Sequence, residues 1–517
     1  MAFSPDSSTP DETSTSRFCD HRHVVMAPFA GEGHVNPMFR FAKLLASHKH
    51  VLVSFAFPAR YHALAVKRCS FDHLPESLRI YVVDDGLPTE EHVIPSFSEN
   101  ARSLIVTQNA VERLLSDLSA RSSLPTWHDM HTSAVDSTET GSGRSKDEKL
   151  FSSGWPPVCC MISDTFVITQ DMADRFGIRR VDFWTGSASV YTMLIHLPEV
   201  MSRGLLPLPS GTANKWNIES PLIDFIPGLS SCHIADFPRK LIESYNASDE
   251  FVRFILKAFS CVKKADWILV NSFYELESRV YDAMQMLGYP IYGIGPLMKM
   301  ESESNSLGSE CLDWLSQQKP ASVIYVAFGS LAKLKTKDME SLALGLQASG
   351  LPFLWVIPLE SISAMNNSGF ASPNGFRDWI ASLGLGFITS WAPQREVLGH
   401  SAVGAFVSHC GWNSVMESLC EAVPIVACPQ GADQIGNART IAEHLKVGVE
   451  IKREDDGSFT KESVQRAIKE IMKNEEARKR IAHLKQVIRD STTWGSSYFN
   501  ITKFIDYLFQ LHCPCHS

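Results

Sequence analysis

The chain has 517 residues, room for two to four domains at roughly 150 residues each, and its 44% apolar and 20% charged residues match a soluble globular protein. With 48 Lys and Arg against 57 Asp and Glu, the net charge is −9. That excludes the broad electrostatic attraction on which nucleic-acid binding rests. No segment reaches the ~18 uninterrupted apolar residues of a membrane span.

Residues 1–22 are rich in Ser and Thr and carry Asp6, Asp11, Glu12 and Asp20. They lack the basic start and apolar run of a secretory leader and the acid-poor composition of a transit peptide, so a disordered extension and a cytoplasmic chain are expected. The twelve cysteines form no framework, and Cys159-Cys160 inside an apolar run fit buried free thiols.

The first strand is expected over His23–Phe29, followed by the turn Gly31-Glu-Gly33-His34. A helix is expected from Asn36, with Met38, Phe41, Leu44 and Leu45 at helical spacing, and then a strand over Val51–Phe57. This βαβ order implies a parallel sheet covered by helices. Residues 130–153 are polar and read as a loop within the first half. Pro157–Ser163 is a further buried strand, closed by Asp164, and Arg180–Trp184 follows. A polar linker over 298–310 separates the halves. The rhythm then restarts with a strand over Ser322–Phe328 that ends in Gly329-Ser330. A helix carries Met339, Leu342, Ala343 and Leu346, and strands are expected over Pro352–Ile357, Ala402–Ser408 and Pro424–Cys428. The expected domains are 23–297 and 311–490, with a helix over 491–517 folding back on the first. Its tail, His512-Cys513-Pro514-Cys515-His516, has metal-binding residue types, but a chain end rarely holds ligands in geometry. The fold class is α/β with two doubly wound, Rossmann-like domains, which places a ligand in the cleft at the carboxyl ends of the strands.

The first glycine turn fails as a dinucleotide fingerprint. Asn36 stands where the third glycine is needed, and the next strand runs into Pro58-Ala59-Arg60 rather than an acid. The turn does place His34 at a strand–helix junction facing the cleft, where an imidazole can act as a general base; a capping or merely buried histidine fits the position equally. Asp164 closes a strand and can hold the other ring nitrogen of His34, or simply cap the helix that follows.

The densest chemistry lies in Ser408-His409-Cys410-Gly411-Trp412-Asn413-Ser414. Free N–H groups and the positive end of the following helix favour an anion, and Gly411 lets backbone approach it. His409, Asn413 and Ser414 add donors that suit a diphosphate, and Glu417 could accept from ribose hydroxyls. The plain alternative is an ordinary capped helix.

The stretch Trp391–Gln434, with Trp391-Ala-Pro-Gln394, His409-Cys-Gly-Trp-Asn-Ser414, Glu417 and Asp433-Gln434, closely resembles the signature box of plant UDP-dependent glycosyltransferases (family 1) that act on small molecules. Gly33-His34-Val-Asn-Pro37, Ser163-Asp164-Thr-Phe166, Phe183-Trp-Thr185, Val270-Asn-Ser-Phe273, Gly293-Ile-Gly-Pro296 and Phe328-Gly-Ser330 resemble its other landmarks, so the likeness covers roughly 23–505. It implies a GT-B architecture with an N-terminal acceptor domain and a C-terminal nucleotide-sugar domain. Trp391 would stack on uracil and the Ala392 backbone would pair with its edge. Gln394 and Glu417 would hold the ribose, and Ser330, His409, Asn413 and Ser414 the diphosphate. Trp412, Asp433 and Gln434 would take the sugar hydroxyls, with Thr185 reaching the sugar from the other domain. The implied reaction is inverting transfer from UDP-glucose, with His34 as base, Asp164 as its partner and no cofactor or metal. A small lipophilic acceptor and a monomer are expected; the alternative is a catalytically silent UDP-sugar-binding protein. Departures from the family pattern include Glu32, Arg179-Arg180, Ala422 in place of a usual Gly, Cys428 and Gly431-Ala432.

Overall fold

The computed structural model describes residues 21–68, 74–89, 97–120, 155–206, 208, 222–229, 232–243, 250–297, 309–329, 334–368 and 375–511. Residues 1–20 of the expected N-terminal extension, the 130–153 loop, nearly all of the linker, Ser330 and the His512–His516 tail lie outside the described residues. The extension was expected to reach residue 22, but Arg22 is already the first residue of a strand.

Strands β1 (Arg22–Ala27), β2 (Val51–Pro58), β3 (Leu78–Val83), β4 (Val158–Asp164) and β5 (Arg179–Trp184) precede a two-residue hairpin, β6 (Leu222–Ile223) and β7 (Cys232–His233). Strands β8 (Trp267–Val270) and β9 (Ile291–Gly293) complete a seven-stranded sheet of order β3-β2-β1-β4-β5-β8-β9. All its pairings are parallel. The second sheet contains β10 (Val323–Ala327), β11 (Phe353–Val356), β12 (Gly386–Thr389), β13 (Val403–Ser408), β14 (Ile425–Ala427) and β15 (Gly448–Glu450). Its order is β12-β11-β10-β13-β14-β15, again entirely parallel. Parallel strands covered by helices on both faces must be apolar throughout, and β4 and β13 are buried at every residue.

The helices that position the cleft are α1 (Glu32–Ala46), α2 (Ala188–Ile195), α3 (Tyr274–Met286), α4 (Gln394–Gly399), α5 (Trp412–Glu421), α6 (Gln434–Arg439), α7 (Glu475–Thr493) and α8 (Ser496–Gln510). Helix α1 begins at Glu32, four residues before the expected start, and contains Pro37. Gly31, in extended conformation, turns the chain straight from the end of β1 into the helix. The missing N–H of Pro37 then breaks one internal hydrogen bond rather than the helix.

Helix α8 belongs by sequence to the second half and by packing to the first. Ile501, Phe504, Ile505 and Leu508 are buried in the core that also holds Phe41, Phe55 and Trp267. At about 2 kcal/mol per buried large apolar side chain, this contact is a substantial tie between chain end and first domain. Polar caps fix its register: Ser497 Oγ donates to the Gly295 carbonyl at 2.6 Å, and Asn500 Nδ2 donates to that of Gly293 at 2.8 Å. Arg22 donates back to the carbonyls of Leu508 and Phe509.

Each sheet reverses its strand order once, between β1 and β4 and between β10 and β13. Loops leaving the two strands at such a point splay apart and open a crevice. His34 and Asp164 follow the first pair; Gly329 and His409 follow the second.

Candidate active site

Strands β1 and β4 are neighbours in register, Ala27 beside Ser163. This brings together two residues 130 positions apart. Asp164 is fully buried, and its Oδ2 lies 2.7 Å from His34 Nδ1. Its other oxygen accepts the Phe166 N–H at 2.9 Å. With Nδ1–H donated to a carboxylate, the Nε2 of His34 carries the lone pair and can accept a proton. The histidine keeps 22% of its side chain exposed, so that lone pair reaches the cleft. Thr185, buried at the end of β5, stands beside the pair with Oγ1 3.1 Å from His34 Nδ1.

A polar layer backs the dyad. Asp182, one strand over, accepts hydrogen bonds from Thr165 Oγ1 and Tyr191 Oη, each at 2.7 Å, and pairs with Arg180. Burial pushes the Asp182 carboxyl up, against the opposing pull of Arg180 and the two hydroxyls. The arginine that departs from the family pattern thus neutralises an acid next to the one that orients His34. In front, Phe29 meets the His34 ring edge-on at a centroid distance of 5.0 Å, and Phe166 lies 5.7 Å away. Phe166 continues into Trp184, Phe254 and Phe259. This side of the cleft is an aromatic wall with His34 set in it.

The opposite wall is the turn between β13 and α5. Cys410 adopts a left-handed conformation with φ 65°, a strained choice for a residue with a side chain. The turn it makes lays the His409 ring between two glycines. A Cβ on Gly411 would come within 2.5 Å of Nε2, and one on Gly329, itself at φ +68°, within 3.0 Å. Gly411 therefore makes room for a side chain of its own turn, a steric role the sequence reading did not give it. Burial pushes the His409 imidazole down to about 4, so it is neutral near pH 7. Its Nδ1 is buried with no hydrogen-bond partner among the described residues, an unusual state for a ring nitrogen.

Gln394 at the start of α4 and Ser414 and Glu417 on α5 form one cluster. Gln394 Nε2 donates to Ser414 Oγ at 3.0 Å and to Glu417 Oε2 at 2.5 Å. Tyr325 of β10, a residue the sequence reading missed, donates to Gln394 Oε1 at 3.2 Å. Trp391 and Ala392 lead into α4, and the Trp391 carbonyl accepts from Thr389 Oγ1 at 2.9 Å. Asp433 Oδ2 accepts from Asn437 at 2.9 Å. Burial pushes its carboxyl up, while the Asn437 bond and the nearby His34 pull it down. Gln434 Oε1 accepts the backbone N–H groups of Gln430 and Gly431 at 2.8 and 3.2 Å, which turns its NH₂ group away from that loop.

The Trp412 side chain is anchored, which leaves the expected sugar contact to its backbone. Its side chain is 4% exposed within the apolar core under α5, and the indole N–H donates to the Asn271 carbonyl at 2.9 Å. With its one polar atom committed there, only the Trp412 backbone is left to meet a ligand. Asn413 Nδ2 donates across the cleft to the Gly33 carbonyl at 2.8 Å. A second clasp joins the lobes where Arg439 of α6 reaches Asp236 Oδ1 at 2.8 Å. Neither Asn271 nor Asp236 was singled out from sequence, although Asn271 lies inside a quoted motif.

Two parallel, doubly wound domains facing a cleft, with a His–Asp pair on one wall and an anion-ready helix start on the other, define a GT-B glycosyltransferase architecture. The model of the UDP-glucoronosyl and UDP-glucosyl transferase family matches residues 157–493, and the chain belongs to this family, among its plant members. It is 31% identical to 7-deoxyloganetin glucosyltransferase of Catharanthus roseus over 96% of this chain and 98% of that one. It is 32% identical to UDP-glycosyltransferase 85A1 of Arabidopsis thaliana over 88% and 89% of the two chains. Among solved structures, Phytolacca americana UGT2 complexed with UDP-2fluoro-glucose and pterostilbene superposes with a TM-score of 0.73 at 25% identity, covering 94% of this chain and 99% of that one. The protein is a UDP-glycosyltransferase of the hexosyltransferase type, moving sugar from a UDP-sugar to small molecules. Among the described residues no helix is long and apolar enough to cross a membrane.

Proposed function

We propose that the enzyme transfers glucose from UDP-glucose to a hydroxyl of a small lipophilic acceptor, with inversion, to give a β-glucoside. The observation that carries this reading is the His34–Asp164 pair, set in an aromatic wall and facing the turn between β13 and α5. His34 Nε2 takes the proton of an acceptor hydroxyl lying between Phe29 and Phe166, while Asp164 stabilises the imidazolium through Nδ1–H. The acceptor oxygen attacks the anomeric carbon from the N-terminal wall, opposite the departing UDP, so an α-linked donor gives a β-linked product. Charge developing on the β-phosphate meets the α5 helix start, the neutral ring of His409 and the Ser414 hydroxyl. Trp391, Ala392, Gln394 and Glu417 hold the uridine, and Asp433, Gln434 and Thr185 the sugar. The assignment to glucose draws on the named activities of the relatives and on the terminal Gln434. No step calls for a metal or cofactor.

Incubation with UDP-glucose, UDP-galactose or UDP-glucuronate and a panel of phenolic, terpenoid and hormone-like aglycones, read by mass, tests the reading. The expected product is a monohexoside from UDP-glucose whose anomeric proton coupling is that of a β-linkage. An α-linked product, or UDP binding with no transfer to any hydroxyl, refutes it.

A further inference from the structure

The Gly33 carbonyl has no donor four residues ahead in its own helix, because Pro37 has no N–H. Asn413 supplies one from the opposite lobe, its Nδ2 donating at 2.8 Å. The orientation of that amide follows from its surroundings. The Leu297 N–H donates to Asn271 Oδ1 at 3.1 Å. This directs Asn271 Nδ2 to Asn413 Oδ1, 3.4 Å away, and leaves the Asn413 nitrogen facing Gly33. A backbone donor at one end and a backbone acceptor at the other thus fix the polarity of two amides that could each flip alone. Asn271 also holds the start of α5 directly, through its carbonyl and the Trp412 indole.

We propose that Leu297 N–H, Asn271, Asn413 and the Gly33 carbonyl form a polar relay that sets the position of His34 relative to the donor-binding helix. Asn271 and Asn413 act in it as positioning residues, and Pro37 is what leaves the end of the relay open. The inference rests on the reading of His34 as the base. Gly33 immediately precedes His34, so an anchor on its carbonyl fixes the first turn from which the imidazole projects. Asn413 sits in the first turn of α5, so that helix and the base are tied through one side chain. A base misplaced by about 1 Å loses on the order of a hundredfold in rate, which is why such a tie matters.

Two variants that leave the dyad in place test the relay, and Pro37→Ala leaves the Asn413 side chain unaltered as well. Asn271→Asp still accepts from Leu297 but presents oxygen to Asn413, whose amide must then turn its own oxygen toward Gly33. Pro37→Ala returns an N–H to the helix, which competes for the Gly33 carbonyl. With an acceptor the wild-type enzyme uses, kcat is expected to fall about tenfold in Asn271→Asp and about threefold in Pro37→Ala. In Pro37→Ala, UDP affinity by calorimetry stays within about twofold and the thermal midpoint does not fall. Hydrogen exchange in a peptide covering residues 31–38, measured without substrates, is expected to be faster in Asn271→Asp and Asn413→Ala. The proposal is overturned if kcat stays within about twofold of wild type in the folded variants, if the UDP affinity of Pro37→Ala falls in step with its kcat, or if that exchange is unchanged. Should Asn271→Asp fail to fold, Pro37→Ala and the exchange in Asn413→Ala decide. An active His34→Ala enzyme would instead remove the catalytic reading, whatever the exchange showed.

Discussion

Asp164→Asn tests the dyad with almost no change of shape. Asp164 is fully buried, and each oxygen has one donor, Phe166 N–H at 2.9 Å and His34 Nδ1–H at 2.7 Å. An asparagine has one oxygen to meet two donors. The Phe166 amide is fixed by the backbone, so the oxygen goes there and the NH₂ group faces His34. The imidazole must then accept at Nδ1 and carry its proton on Nε2, where it cannot take another from an acceptor hydroxyl. The negative charge that steadies the imidazolium is lost as well. Together these are expected to lower kcat by about 10³–10⁴, or about 4–5.5 kcal/mol of barrier. UDP affinity should hold, because the donor contacts lie on the other lobe. The assay is UDP release in the presence of a proven acceptor, with calorimetric UDP titration beside it. A variant with more than about a tenth of wild-type kcat would refute Asp164 as the orienting partner of His34.

Four further outcomes are expected. Ala422 caps α5 at φ 61° and ψ 39°, a conformation that costs a side chain about 1 kcal/mol, so Ala422→Gly should raise the melting temperature by about 2 °C; a decrease would contradict it. His23 is buried between the Pro156 carbonyl and Ser54, and burial pushes its imidazole from 6.5 down to about 4. Its share of stability is present above pH 6.5 and is lost as pH falls toward 4, amounting to about 3 kcal/mol; urea midpoints across this window should drop, less so in His23→Gln. Asp433→Ala should raise the KM for the UDP-sugar while sparing UDP affinity, and equal losses would remove it from the sugar site. Dialysis against EDTA should leave the rate unchanged, whereas a loss restored by Mg²⁺ or Mn²⁺ would overturn the metal-free mechanism.

Much of the fold was legible because buried parallel strands leave a plain trace. Val51–Phe57 has Ser54 as its one polar residue, and Ala402–Ser408 has none until its last position. The boundaries moved where local chemistry competed with that pattern. The apolar spacing from Met38 placed the helix start at Asn36, yet α1 opens at Glu32, directly after an extended Gly31. The Ala422 departure had no evident meaning in the sequence; the left-handed cap explains why glycine is the usual residue there. The anchoring of the Trp412 indole in the core, with its N–H on the Asn271 carbonyl, was likewise not legible, because its partner lies in the other half of the chain.

The amino-acid sequence by itself determined the two α/β halves, the family and the identity of nearly every residue proposed for the site. Those properties are written in local periodicity and in rare residues at fixed spacing. Whether His34 and Asp164 meet was decided only by the tertiary structure, because that depends on which strand lies beside β1 in the sheet. The same holds for the glycine slot around His409, the Arg180–Asp182 layer behind the dyad and the Asn271–Asn413–Gly33 chain across the cleft. The chain across the cleft joins residues far apart in sequence. Although Arg180 and Asp182 are close in sequence, their place behind the dyad, like that of Gly329 against His409, is set by strand order rather than by spacing.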